Sequence, residues 1–133
     1  VSKEILDIAK SKFSHLENVE FKLLDITLDP LPKGDVCIVR QVLQHLSNAD
    51  IQRFIDKLNN KKPYKYVVIT EHIPSNTDFK ANIDKETDEN FRLCLNSGVV
   101  VHKEPFNIHA SLINDLDRTP QGWGYHQTTV YEI

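Results

Sequence analysis

The 133-residue sequence predicts an α/β fold, and three observations carry that prediction. Ile51, Phe54, Ile55 and Leu58 recur at helical spacing behind Ser47. Val36-Cys37-Ile38-Val39 precedes this helix as a short apolar run, and residues 64–70 (YKYVVIT) follow it as a β-branched and aromatic one. Strand, helix and strand in that order join parallel strands through a crossover, so residues 19–24, 36–39 and 64–70 are expected as parallel strands of one sheet.

Taken in order, Ile5, Ile8, Ala9 and Phe13 form one face of a helix over residues 2–13, with Lys3, Glu4, Lys10 and Lys12 opposite and Ser2 as its N-cap. Polar residues 14–18 break it. Val19, Phe21 and Leu23 then alternate with Glu20 and Lys22, a strand signature ending at Asp25. Asp29-Pro30-Leu31-Pro32-Lys33-Gly34 is turn chemistry, because each proline fixes its own φ and removes a backbone donor. The run at 36–39 suits a strand covered on both faces and is too short for a buried helix. Ser47 with Asp50 three residues on makes an acidic variant of the capping box and opens the clearest helix. Asn59-Asn60-Lys61-Lys62-Pro63 ends it, and 64–70 resumes the sheet. Between 72 and 97 the sequence turns polar, which predicts an irregular excursion with one helical turn near 91–95. Residues 99–101 and 110–116 are further candidate strands, 119–124 carry turn residues, and 126–133 alternate as a final strand.

Apolar residues make up 40% of the chain and charged ones 26%, which suits one domain over residues 1–133 with a modest core. Sixteen basic against nineteen acidic residues give a net charge of -3 with neither sign concentrated, so neither nucleic acid nor a membrane is an expected partner. No run approaches the roughly 18 apolar residues of a membrane span, and no signal-peptide pattern opens the chain. Cys37 and Cys94 fit no C-x-x-C or metal spacing and are expected as buried, reduced thiols in a cytoplasmic protein. The six histidines form no H-x-x-x-H or Cys/His pattern, so no metal is expected. The chain begins at Val1 and contains no methionine, from which a fragment or an incomplete reading frame is expected.

In open α/β sheets ligands bind beyond the carboxyl ends of the strands, which brings forward Asp25 and Ile26, Arg40 and Gln41, Glu71 and His72. Asp25 can accept a hydrogen bond from an exocyclic amine, or cap a surface turn. His45, His72 and Glu71 are the candidate bases near that face. Against that role, His45 suits packing and hydrogen bonding at the turn before Ser47 better, and His72 a solvated loop. Trp123, Tyr125 and His126 either line an acceptor pocket or pack over the end of the sheet. Arg92 either meets an anionic acceptor or lies at the surface.

The segment Asp35-Val36-Cys37-Ile38-Val39-Arg40-Gln41-Val42-Leu43-Gln44-His45-Leu46 resembles the fourth-strand motif of class I, Rossmann-like S-adenosylmethionine-dependent methyltransferases. There an aspartate enters an apolar strand that runs into a Val-Leu-Glu/Gln-His-Leu turn before a helix. Val19-Glu20-Phe21-Lys22-Leu23-Leu24-Asp25 is similar to the family's third strand, and Val1-Ser2-Lys3 to the stretch after the acid that ends its second. The resemblance covers residues 1–73 and, more loosely, Ser97-Gly98-Val99, Pro105-Phe106-Asn107 and residues 123–127 (WGYHQ). It implies a Rossmann-like sheet, mostly parallel with a carboxyl-terminal antiparallel strand, truncated at the amino end. The first strand, the G-x-G-x-G loop and the ribose-binding acid would be missing. It further implies Asp25 at the adenine amine, Ile26 at the adenine ring, Val39 and Arg40 beside the methionine moiety and Val42 on the pocket wall, and it names no catalytic residue beyond the candidates His45 and His72 already brought forward by position.

The activity so implied is methyl transfer from S-adenosylmethionine to an unidentified small-molecule acceptor by the parent protein, this chain binding the cofactor weakly or not at all. The rival reading is a non-enzymatic α/β remnant or interaction module. A flavodoxin-like fold is disfavoured because no phosphate loop precedes a helix. Missing strands would also leave backbone groups unpaired, and direct pairing of 19–24 with 36–39, upstream residues or a homo-oligomer would repair the gap. The last two are favoured, because the apolar face of residues 2–13 suits a larger sheet.

Overall fold

The structure, a computed structural model, describes residues 2–133, the side chains of 115–118 excepted. Helix α1 (Lys3–Lys12) starts where Ser2 Oγ accepts the Ile5 amide at 3.4 Å. Strand β1 (Val36–Arg40) leads through a single 3-10 turn (Leu43–His45) into α2 (Asn48–Lys61), and β2 (Tyr66–Pro74) follows. After a second 3-10 turn (Arg92–Leu95) come β3 (Ser111–Gln121) and β4 (Gly124–Glu132). The four strands lie in the order β1-β2-β4-β3.

Helix α2 carries the core. The Ser47 hydroxyl accepts the Asp50 amide at 3.2 Å, and Ile51, Phe54, Ile55 and Leu58 on one face are all wholly buried. They join Val39, Val67, Ile69, Val99, Val101, Phe106, Ile108 and Tyr131 in one apolar cluster. Each such side chain contributes roughly 1.5–3 kcal/mol by leaving water. Strand β1 runs parallel to β2, Val36 opposite Tyr66 and Arg40 opposite Thr70, as the crossover through α2 predicts. Strand β4 is antiparallel to both β2 and β3.

The α/β class and the antiparallel last strand stand, but the sheet is not mostly parallel. Two of its three pairings are antiparallel: β3 and β4 are joined by the two-residue turn Gly122-Trp123, and a connection that short permits no other arrangement between them, while β4 also lies antiparallel to β2, the strand distant in sequence that it pairs on its other edge. Gly122 takes φ +55 there, which costs nothing without a Cβ. At Gly124 a Cβ would fall 2.2 Å from the Ile73 carbonyl oxygen, so β2 and β4 approach closely only because that residue is glycine.

Residues 19–24 are not a strand. They run outside the sheet, where Phe21 stacks on Phe13 at 6.2 Å while Val19 and Leu23 stay exposed. Alternation supplies one apolar edge, whereas a strand also needs a neighbour for its amides and carbonyls. Nor is β1 covered on both faces: Val36 is 50% and Ile38 72% exposed, at the edge of the sheet. Helix α1 buries none of its residues, with Ile5 61% and Ile8 66% exposed.

Residues 99–101 form no strand, although Val99 and Val101 are buried in the core. Cys37 is half-buried and Cys94 exposed, against the expectation of two buried thiols. The excursion is shorter than expected because β2 extends through His72 to Pro74, and it holds the expected helical turn at Arg92–Leu95. Buried Asn82 orders it, its Nδ2 donating to the carbonyls of Val100, Lys103 and Glu104 and its Oδ1 accepting the Val100 amide at 2.8 Å. Among the described residues no helix is long and apolar enough to cross a membrane.

Candidate functional site

The chain leaves β1 through Gln41, whose φ of 53° is left-handed and whose amide donates to the Thr70 carbonyl at 2.8 Å. This reversal starts the connection to α2, and two buried ionisable side chains hold it, one through its amides and the other through its carbonyls. Glu71, 2% exposed on β2, accepts the Leu43 amide at 2.9 Å through Oε1 and the Gln44 amide at 3.1 Å through Oε2. Arg92, 1% exposed, takes the carbonyls: Nη1 donates to Leu43, Gln44 and Leu46, Nη2 to Asn48 Oδ1 at 2.7 Å, and Nε to the Ile83 carbonyl at 3.0 Å. Arg92 is therefore neither at the surface nor turned toward an acceptor. Burial pushes the Glu71 carboxyl up to about 7 against the opposing pull of the Leu43, Gln44 and Val42 amides and of Arg92.

His72 lies within β2, not in a solvated loop, and is paired in register with His126 of β4. The two rings meet edge-on at 4.9 Å. Gln41 Nε2 and His126 Nε2 are 2.5 Å apart, a contact in which the amide donates and the ring accepts. Burial, then the neighbouring His72 and Arg40, lower the His126 pKa, which keeps that nitrogen free to accept. His72 Nε2 is 3.0 Å from the Gln121 carbonyl, to which it donates, and its ring stacks with Phe91 at 6.2 Å. Beside it His72, Phe91, Leu93, Gln121, Gly122 and Trp123 line a hollow of about 220 Å³. His45 is separate, in the 3-10 turn, with Nε2 3.3 Å from Gln44 Nε2. Its Nδ1 and Gln44 Oε1 are buried without a partner.

A second hollow, of about 230 Å³, lies against β1. Its walls include Ile26, Val39 and Val42 together with Leu24, Phe54 and Tyr64, so three of the five expected cofactor positions share one apolar cavity. Arg40 and Asp25 do not line it and are both exposed. The Asp25 carboxylate is engaged locally, Oδ1 accepting from the Thr27 amide and hydroxyl at 2.7 Å each and from the Leu28 amide at 3.3 Å. The Thr27 hydroxyl and amide hold it below the usual carboxylate range. Its own amide donates to Asp29 Oδ2 at 2.8 Å.

The contact of Gln41 and His72 with His126, and the enclosure of Arg92, escape sequence reasoning. Each depends on which segments become neighbours, and no local pattern around Arg92 or His126 records that. Among the described residues no group of three or more His, Cys, Asp or Glu could hold a metal ion. Neither the protein-family models nor the curated proteins contain a match to this chain.

Proposed function

We propose that the chain is a carboxyl-terminal portion of a Rossmann-like S-adenosylmethionine-dependent methyltransferase domain, whose parent transfers a methyl group to a small-molecule acceptor. The observation that carries this reading is the convergence of Ile26, Val39 and Val42 on one cavity at β1. The parallel β1–β2 pair and the antiparallel last strand agree with it. A sulfonium cofactor supplies an already activated methyl group, so the protein's work is to hold two reactants in line.

The fit is partial. The cavity of about 230 Å³ is apolar enough for a flat ring but smaller than the ~300–1,000 Å³ of small-molecule sites, and Asp25 is committed to its turn. Titration of the chain with S-adenosylmethionine, followed by amide chemical shifts, is expected to give at best millimolar binding, with shifts confined to Ile26, Val39, Val42 and their neighbours. Shifts confined to other residues would remove the basis of the reading.

A second reading, an interaction module without cofactor, is favoured by one observation: the apolar residues Ile5, Ile8, Val36 and Ile38 are exposed on α1 and on edge strand β1. In either case self-association is expected. Sedimentation should show species larger than the 15.3 kDa chain, and Ile38→Glu should shift them toward monomer. A compact wild-type monomer would exclude the homo-oligomer.

A further inference from the structure

Residues 26–33 cross the last turns of α2 and leave beneath them a cavity of about 640 Å³, within the ~300–1,000 Å³ of small-molecule sites. Leu28, Pro30, Leu31 and Pro63 give it aliphatic walls, and Lys33, Lys57, Lys61 and Lys62 supply its polar groups. Neither an aromatic ring nor a carboxylate lines it. Among the described residues the ion pairs lie elsewhere, at Lys22–Glu20, Arg53–Asp50 and Lys85–Asp88, so these four lysines have no carboxylate at pairing distance.

The lysines are not equivalent. Half-buried Lys57 donates to the carbonyls of Ile26 at 3.1 Å and Asp29 at 2.6 Å, which fastens the crossing segment to α2 and sets one charge into the wall. Lys62 caps α2 at φ 41°, a conformation that favours glycine, so a cation is held at the rim at a cost to the backbone. The half-charge of a helix carboxyl end accounts for one nearby cation such as Lys61. It does not account for Lys33, which comes from the crossing segment. Four positive charges around aliphatic walls, in a chain of net charge -3, complement an anion with an apolar body.

The geometry points to a binding site for an anionic aliphatic ligand, with its alkyl chain between Leu28, Pro30, Leu31 and Pro63 and its head among Lys33, Lys61 and Lys62. Ammonium groups act as point charges without fork geometry, so carboxylate, sulfate and phosphate heads all suit them, and the hydrocarbon body sets the class. The inference is independent of the methyl-transfer reading.

Octanoate, added to the isotope-labelled full chain, is expected to bind saturably and to move the amide signals of Leu28, Leu31, Lys33 and Lys61. Octanol, which keeps the body, and inorganic phosphate, which keeps a head, should each bind about tenfold more weakly or worse. The exposed double variant K33E/K61E, with its fold checked by circular dichroism, should lose binding to a similar extent, and K33A/K61A should lose part of it. Anionic phospholipid vesicles, whose chains stay in the bilayer, should leave these signals in place. Octanol binding as tightly as octanoate, unchanged binding by K33E/K61E, capture by vesicles, or shifts confined to the apolar face of α1 would each overturn the assignment.

Discussion

Replacing Arg92 with methionine is expected to cost about 3–5 kcal/mol of folding stability, the usual penalty for deleting one member of a buried charged network. The side chain donates to four backbone carbonyls and to Asn48 Oδ1, tying residues 43–48 to residue 83. Methionine fills much of the volume and satisfies none of those acceptors, each of which then stays buried at a cost of about 1–3 kcal/mol or finds water by opening the turn. Glu71 also loses its facing charge. Lysine should fall between the two, since its single ammonium cannot reach Ile83, Leu46 and Asn48 together. Urea unfolding checks this through a lower midpoint at constant slope. A loss below about 1 kcal/mol would mean that these carbonyls are solvated, as exposed positions are.

The second large effect is pH-dependent and belongs to Glu71. Burial raises its carboxyl to about 7 from an ordinary 4.5, so between those values the folded chain holds a proton that the unfolded chain has released. The contribution is therefore complete below about pH 4.5 and is lost as pH rises through about 7. The shift corresponds to roughly 3 kcal/mol over that window. Glu71→Gln should flatten this part of the stability profile. It should also cost about 1–3 kcal/mol at low pH, because one of its two terminal groups becomes a donor facing the Leu43 or Gln44 amide. Denaturation midpoints across pH 4.5–7.5 for both chains test the two effects separately.

Much of the fold is legible in the residues themselves. Ser47 and Asp50 announce α2, and the same spacing that predicts its apolar face names the four side chains found wholly buried. The run at 36–39 and the one after Pro63 give the parallel pair. What the sequence withholds is partnership. Val19, Phe21 and Leu23 alternate as well as any strand, yet they have no ladder to join. Val99 and Val101 are core residues without being a strand. At the candidate site, Glu71 is conspicuous as an acid after an apolar run, but its engagement by the Leu43 and Gln44 amides depends on where the next turn folds back. His72 is assigned to a loop because the polar composition of 72–97 outweighs the one pairing, with His126, that makes it part of a strand.

The position of β2 between a parallel and an antiparallel neighbour governs the order in which the sheet can assemble. Thr70 bonds to Thr128, 58 residues along the chain, whereas β3 and β4 meet across a two-residue turn. The hairpin can close in about 1–10 μs, as isolated hairpins do, and α2 can draw β1 and β2 together as a local unit. Joining the two halves requires the distant register of β2 on β4, and contacts of that sequence separation are the slow ones. Until they form, one edge of β2 and one edge of β4 stand open, and in that interval the chain is most exposed to pairing with another copy of itself.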